Sequence, residues 1–260
     1  MLDPETIQAI ADELAGVTTS KQLIPLITQR YPGMTVEDAY AVQGVWARGR
    51  LDAGRRVIGH KIGLTSKVMQ AATGITEPDY GVIFDDVLFD SGAVIDFDRF
   101  ANVRIEVELA FVLDRDLKEQ ATIFDVLDST AYVVPALEIL DSRIEMQGRT
   151  IVDTISDNAA LGAVVIGGRP VKPTEVDLRW ISALLYRNEV IEESGVAAAV
   201  LGHPAAGVAW LAGKLGQHGT ALRAGEIILA GSFTRPMWVD RGDTVHADYG
   251  PLGAVTCRFR

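Results

Sequence analysis

A single cysteine, Cys257, stands in a chain of 260 residues. One thiol cannot build an intramolecular disulfide framework or a thiolate zinc site. Histidine is nearly as scarce, with four in the chain, and they form no cluster that would compete for zinc. Positive charge is in deficit: 24 Lys and Arg against 35 Asp and Glu leave a net charge of −11. That balance argues against nucleic acid and anionic membrane surfaces as partners, so any anion site must be local. No uncharged apolar stretch reaches the length of a membrane span. No glycine-rich phosphate loop opens a helix after a strand, Gly167-Gly168 reads as a turn, and there is no GxSxG elbow. The first residues, Met1-Leu2-Asp3-Pro4-Glu5, carry neither a basic nor an apolar targeting segment. With so little cysteine, a reducing cytoplasm is the expected compartment.

What is present is ample apolar material, 48% of the residues, enough for one large domain or a core with a smaller lobe. The first third reads helical. Asp3 and Pro4 form an N-cap and first-turn pair for a helix through Leu14, with Gly16 as its stop. Thr35-Val36-Glu37-Asp38 starts a second helix to about Leu51, although a capping box prefers Glu or Gln where Asp38 stands. Val57 to Leu64 reads as a short strand, after which Thr65 or Ser66 caps a short helix through Met69. From about Gly81 the texture turns to short β-rich runs: Val82 to Phe84, Arg104 to Leu113, Ala163 to Ile166, Ile181 to Arg187, Glu226 to Leu229 and Ala254 to Phe259. Helices are expected near Ile123 to Thr130 and from Pro204 to Leu215, the second closed by Gly216. Strands in runs with a few helices indicate an α+β fold, with a helical lobe over residues 1–80 and a β-rich core over 81–260.

The run Val103 to Leu113 alternates residue by residue. In an extended chain residues i and i+2 share a face, so Ile105, Val107 and Leu109 lie on one side and Glu106 and Glu108 on the other, about 7 Å apart at Cα. Such a pair is either the polar face of a half-exposed strand, ion-paired with Arg104, or a pair of ligands for a hard cation. A third carboxylate favours the cation: Glu138 is the one polar residue in the apolar run Val133 to Leu140, and a lone carboxylate there is rarely left unpaired. Three carboxylates with waters and an oxygen ligand suit Mg²⁺ or Mn²⁺.

Three further places carry chemistry. Lys61 lies among apolar residues between Gly59 and Gly63, either as an edge-strand charge or as a buried amine that binds a carboxylate or moves a proton. Asp79, in Glu77-Pro78-Asp79-Tyr80-Gly81, is either a turn residue or a general base on a proline-stiffened loop. The segment Ile227 to Pro236 is a buried strand running into Gly231-Ser232-Phe233-Thr234-Arg235, whose N–H groups, hydroxyls and guanidinium can hold carboxylates. His203 before Pro204 reads as a helix-start residue, His60 as packed, and Cys257 as inert in a terminal strand.

Taken in order, Gly59-His60-Lys61-Ile62-Gly63-Leu64-Thr65-Ser66, Glu77 to Gly81, Glu106-Val107-Glu108, Pro135-Ala136-Leu137-Glu138, Asp157-Asn158-Ala159, Leu201-Gly202-His203-Pro204 and Gly231 to Pro236 resemble the 2-oxopentenoate hydratase / 4-oxalocrotonate decarboxylase family of the fumarylacetoacetate hydrolase fold. His60, Tyr80 and the Phe233-Thr234-Arg235-Pro236 turn resemble the branch that serves homoprotocatechuate breakdown. The resemblance implies a Mg²⁺ site at Glu106, Glu108 and Glu138, with acid–base chemistry at Lys61 and Asp79. It sets Ser232 beside the substrate carboxylate; the same turn, through Gly231 and Thr234, is read as substrate-binding, and Arg235 is expected to pair with the distal carboxylate of a seven-carbon diacid. Asp157 and Asn158 match a motif without an assigned step. The implied reaction adds water to a 2-hydroxy-2,4-dienoate to give a 4-hydroxy-2-oxo acid, in a cytoplasmic homo-oligomer. Its rivals are vinylogous decarboxylation, C–C hydrolysis of an acylpyruvate, and a binding protein whose carboxylates are merely solvated.

Overall fold

The computed structural model describes residues 1–66, 70 and 77–260. The short helix expected through Met69 falls outside the described residues.

The chain begins with α1 (Pro4–Ser20), capped by Asp3, whose carboxylate accepts from the Thr6 N–H at 2.9 Å. Gly16 does not end it. Val17 continues the buried stripe of Ile10, Ala11 and Leu14, and the helix stops where Lys21 turns left-handed. After the one-turn α2 (Ile27–Arg30) comes α3 (Val36–Asp52). Its capping box forms with aspartate: Thr35 Oγ1 accepts from Asp38 N–H at 3.2 Å, and Asp38 Oδ2 accepts from Thr35 N–H at 3.0 Å. These helices share an apolar cluster that also takes in Ile144 and Ile155.

The rest is two sheets. The larger, eight-stranded sheet runs β2 (Asp79–Phe84), β1 (Val57–Gly63), β10 (Ile227–Leu229), β5 (Val103–Leu113), β6 (Thr130–Asp141), β7 (Leu161–Ile166) and β3 (Leu88–Asp90), with β11 (Met237–Trp238) added beside β5. The smaller runs β4 (Ala93–Ile95), β13 (Ala254–Phe259), β12 (Thr244–Asp248), β8 (Ser182–Arg187) and β9 (Val190–Val196). Three helices complete the chain: α4 (Ile123–Ser129), α5 (Ile151–Ser156) and α6 (Pro204–Gly216). The α6 start is as expected, with His203 at the cap and its Nδ1 accepting from Ala205 N–H at 3.0 Å. Cys257 is buried in β13, and burial pushes its thiol up to about 12.

The residue-80 division cuts through β2, which pairs antiparallel with β1 in one sheet. We therefore place the edge of the helical lobe at the end of α3. Asp79, expected in a loop, is the first residue of β2.

One main core lies between the sheets. Val103, Ile105, Val107, Leu109 and Phe111 of β5 meet Val245 and Ala247 of β12 and Val255, Cys257 and Phe259 of β13. The opposite face of the large sheet carries a second cluster of smaller residues, Ala110, Ala136, Val164 and Leu229 among them. The sheet curls around this second face. Asn158, just before β7, mimics a strand against β2, its Oδ1 accepting from Val82 N–H at 2.8 Å and its Nδ2 donating to Val82 O at 3.0 Å.

Candidate active site

β5 and β6 pair antiparallel over their full length, with Glu106 opposite Glu138 and Glu108 opposite Ala136. The alternation read from β5 holds, and it sends Ile105, Val107 and Leu109 to the main core and the two glutamates into the curl. Oxygens of Glu106, Glu108 and Glu138 come within 4.8 Å of one another. Glu108 and Glu138 are fully buried at 0% exposure. Glu106 is half-buried.

Burial, and then the charge of Glu138, push the Glu106 carboxyl up to about 7 and hold Glu108 well above the ordinary carboxylate range. Glu108 Oε2 accepts from Gly231 N–H at 2.9 Å. Its Oε1, and Glu138 Oε2, are buried without a hydrogen-bond partner. Unsatisfied buried carboxylate oxygens are costly, and an all-oxygen donor set of this kind fits a hard divalent cation. The residues present therefore fit the metal that the sequence implied.

Lys61 reaches the same cluster from β1, its Nζ 2.9 Å from Glu138 Oε1. Burial pulls this amine down, but the charges of Glu138, Asp79, Glu108 and Glu106 outweigh it and hold Lys61 above its usual value. Asp79 enters from the adjacent strand, opposite Gly63. A Cβ added at Gly63 would sit 2.2 Å from Asp79 Oδ1 and 3.3 Å from Lys61 Nζ, so the glycine leaves the space in which the two side chains approach. Burial raises the Asp79 carboxyl, with Lys61 opposing.

Ser232 and Thr234 complete the wall. Ser232 Oγ donates to Thr234 O at 2.9 Å, and Thr234 Oγ1 accepts from Val107 N–H at 3.2 Å, which docks the loop onto β5. Gly231 has φ +117, and a Cβ there would meet Thr65 Oγ1 at 2.2 Å. Lys61, Asp79, Glu106, Ser232 and Thr234 open on one cavity of about 310 Å³, a size suited to a small organic acid.

Arg235 is not among them. Its side chain is 76% exposed and pairs with Glu193, Nη2 to Oε1 at 2.8 Å, outside this cavity. Asp157 faces Arg143, accepting from its backbone N–H at 2.9 Å and its Nε at 2.5 Å, and so holds the loop before α5 rather than the cavity. Two cavity residues were missed in the sequence. Arg104 shares the glutamates' face of β5, a signal the i, i+2 rule already contained, yet it was weighed only as a surface counter-charge. Arg149 comes from the loop before α5 and left no periodic signal. A tyrosine of the smaller sheet's last connection was also missed: Tyr249 Oη lies 2.9 Å from Glu108 O and 2.6 Å from Ala136 O, the two carbonyls of one rung of the glutamate-bearing strands. Among the described residues, no helix is long and apolar enough to cross a membrane.

Residues 59–260 match the family described as fumarylacetoacetate (FAA) hydrolase C-terminal. The chain is 54% identical over 266 residues to 2-oxo-hept-4-ene-1,7-dioate hydratase of Escherichia coli, with 100% of each chain covered. It is 39% identical over 259 residues to 2-keto-4-pentenoate hydratase of Paraburkholderia xenovorans (strain LB400), covering 99% of this chain and 96% of the relative. Among solved structures it superposes with a TM-score of 0.96 on 4-oxalocrotonate decarboxylase from Pseudomonas putida G7, complexed with magnesium and adipate, at 33% identity over 100% of this chain and 99% of that one.

Proposed function

This chain belongs to the fumarylacetoacetate hydrolase family, and we propose that within it the protein is a Mg²⁺-dependent hydro-lyase that converts 2-oxo-hept-4-ene-1,7-dioate, through its 2-hydroxy-2,4-dienoate tautomer, to 4-hydroxy-2-oxoheptanedioate. The choice of hydration over decarboxylation rests on the 54% identity to a hydratase of that substrate along the whole chain. The chemistry rests on the three carboxylates beside Lys61 and Asp79.

Glu106, Glu108 and Glu138 would hold the metal. A bound dication would supply Lewis acidity at the 2-oxo acid end of the substrate and would offset the carboxylate charges that otherwise fix the Lys61 proton. Asp79 and Lys61 then move the protons. One takes the proton of the 2-hydroxyl and one returns a proton to C5, leaving a 2-oxo-3-ene. Water adds at C4, giving up a proton to the site while C3 receives one. Burial of Asp79 keeps its carboxyl easy to protonate, as a group that gives and takes a proton must be. Gly231 fixes Glu108, while Ser232 and Thr234 shape the wall against which the substrate carboxylate rests. The protein would work as a homo-oligomer.

A second reading, loss as CO₂ of a distal carboxylate vinylogous to the 2-oxo group, the bonding pair passing into the dienolate, draws support from the superposition on a decarboxylase. Product mass spectrometry separates the two. The purified protein is incubated with Mg²⁺ and freshly generated 2-hydroxyhepta-2,4-diene-1,7-dioate, with an EDTA control. A metal-dependent gain of one water is expected. Loss of CO₂ moves the protein to the decarboxylases, and no metal-dependent change rejects the substrate.

A further inference from the structure

The cavity contains a positive pole that the hydration chemistry does not use. Arg104 precedes Glu106 by two residues on β5, so the same face carries Arg104, Glu106 and Glu108 in a row. Across the ladder Arg104 meets Leu140, not a carboxylate. Its side chain is 8% exposed, its guanidinium lies 5.4 Å from the Trp238 ring, and its Nε is buried without a hydrogen-bond partner. Arg149 lines the same cavity and is half-buried, its Nη1 donating to the neutral hydroxyl of Ser142 at 2.8 Å. It is held by the start of α5, where Asp153 closes the cap with Thr150 and also accepts from Thr28 of the helical lobe at 3.0 and 2.8 Å. Among the described residues, neither guanidinium has a carboxylate partner. Two cations facing one cavity repel each other, and burial makes the repulsion worse. An anion between them removes the penalty, and guanidinium is the group that binds a carboxylate through two parallel N–H donors.

We propose that Arg104 and Arg149 form the subsite for the distal carboxylate of a dicarboxylate substrate, and that the enzyme gauges substrate length between this pair and the glutamate cluster. The inference rests on the diacid reading above. It transfers to Arg104 and Arg149 the part first expected of Arg235, whose charge Glu193 already satisfies at the surface. The spacing agrees. One i to i+2 step along β5 separates Arg104 from Glu106, about 7 Å at Cα, comparable to the separation of the two carboxylates in an extended seven-carbon diacid. A five-carbon monoacid would engage the glutamate cluster and leave the arginines empty.

The test uses unreactive ligands so that binding is read apart from turnover. Mg²⁺-loaded wild type, Arg149→Met and Arg104→Lys are titrated calorimetrically with adipate and with hexanoate. The same proteins are assayed for hydration of the seven-carbon diacid and of 2-hydroxypenta-2,4-dienoate. Wild type is expected to prefer adipate. Arg149→Met should weaken adipate by about ten- to a hundredfold with hexanoate little changed, and should raise KM for the diacid alone. Arg104→Lys keeps the charge but not the fork, and should fall between. Arg235→Ala should leave the preference for adipate in place. The proposal is overturned if wild type shows no preference for adipate, if the preference survives in both Arg104→Lys and Arg149→Met, or if both ligands weaken alike. A wild type that prefers adipate through these arginines yet hydrates neither dienoate keeps the subsite and loses the hydratase reading. Hydration of the diacid with an adipate preference indifferent to both arginines does the reverse.

Discussion

Lys61 Nζ stands 2.9 Å from Glu138 Oε1, with the two side chains 3% and 0% exposed. This buried pair joins the proton-transfer side of the site to its cation-binding side. Removing one partner leaves the other charge uncompensated, which typically costs about 3–5 kcal/mol. Lys61→Met is therefore expected to lower the melting temperature of the metal-free protein, to recover much of that loss on addition of Mg²⁺, and to lose turnover by at least about a hundredfold. A variant whose melting point is indifferent to Mg²⁺ would break the link between the two halves. Calorimetric melts with and without metal read it.

Glu138 gives the complementary case. Mg²⁺ at a hundred times its Kd should stabilise the wild type by about 2.7 kcal/mol, visible as a rise in melting temperature that EDTA reverses. Glu138→Gln should show neither the rise nor turnover. An undiminished Mg²⁺ shift in Glu138→Gln would remove this residue from the ligand set.

Gly231 has no side chain to contribute, yet its substitution should reach the metal. Gly231→Ala places a Cβ against Thr65 at a positive φ and disturbs the N–H that orients Glu108. Loss of such a supporting contact is expected to weaken metal affinity about ten- to a hundredfold, measured by titration with Mn²⁺ as a paramagnetic probe. Wild-type affinity in a folded Gly231→Ala protein would show that Glu108 needs no such support.

His60 supplies a pH test away from the acid cluster. Burial lowers its imidazole from 6.5 to about 4, and Glu226 lies 3.7 Å from Nδ1. Here the folded pKa is depressed, so the unfolded chain takes up the proton first as pH falls. The stability contribution is complete above 6.5 and is lost as pH drops towards 4, by on the order of 3 kcal/mol. Urea midpoints measured across that window should fall more steeply for the wild type than for His60→Gln. Parallel curves would mean that His60 is protonated in the native protein.

How legible the site was depends on the kind of signal each residue left. Glu106 and Glu108 were visible because alternation is local, and the strand bounds differ from expectation only at Val103. Glu138 was noticed by its isolation, but not as part of a strand. Val133 to Leu140 is apolar on both faces because β6 is packed between β5 and β7, so it shows no period, and it contains Pro135, a residue rare in central strands. The register that sets Glu138 opposite Glu106 is non-local and could not be read from either segment. β9 was missed because its mostly exposed run, with Glu192, Glu193, Ser194 and Gly195, carries no apolar face, and β12, α2 and α5 because they are brief. The fold class survived these omissions because strand-rich texture does not depend on finding every strand.

The Tyr249 hydroxyl touches carbonyls of Glu108 and Ala136, which face each other across the ladder. A hydroxyl buried there counts the pairing of β5 with β6. Slipping that pairing by one residue would send every side chain of a strand to the opposite face, carrying the glutamates into the core and the core into the curl. Such an error cannot be partial. The whole site therefore depends on one register, and the Tyr249 hydroxyl bridging that rung ties the site to the correct pairing of two strands.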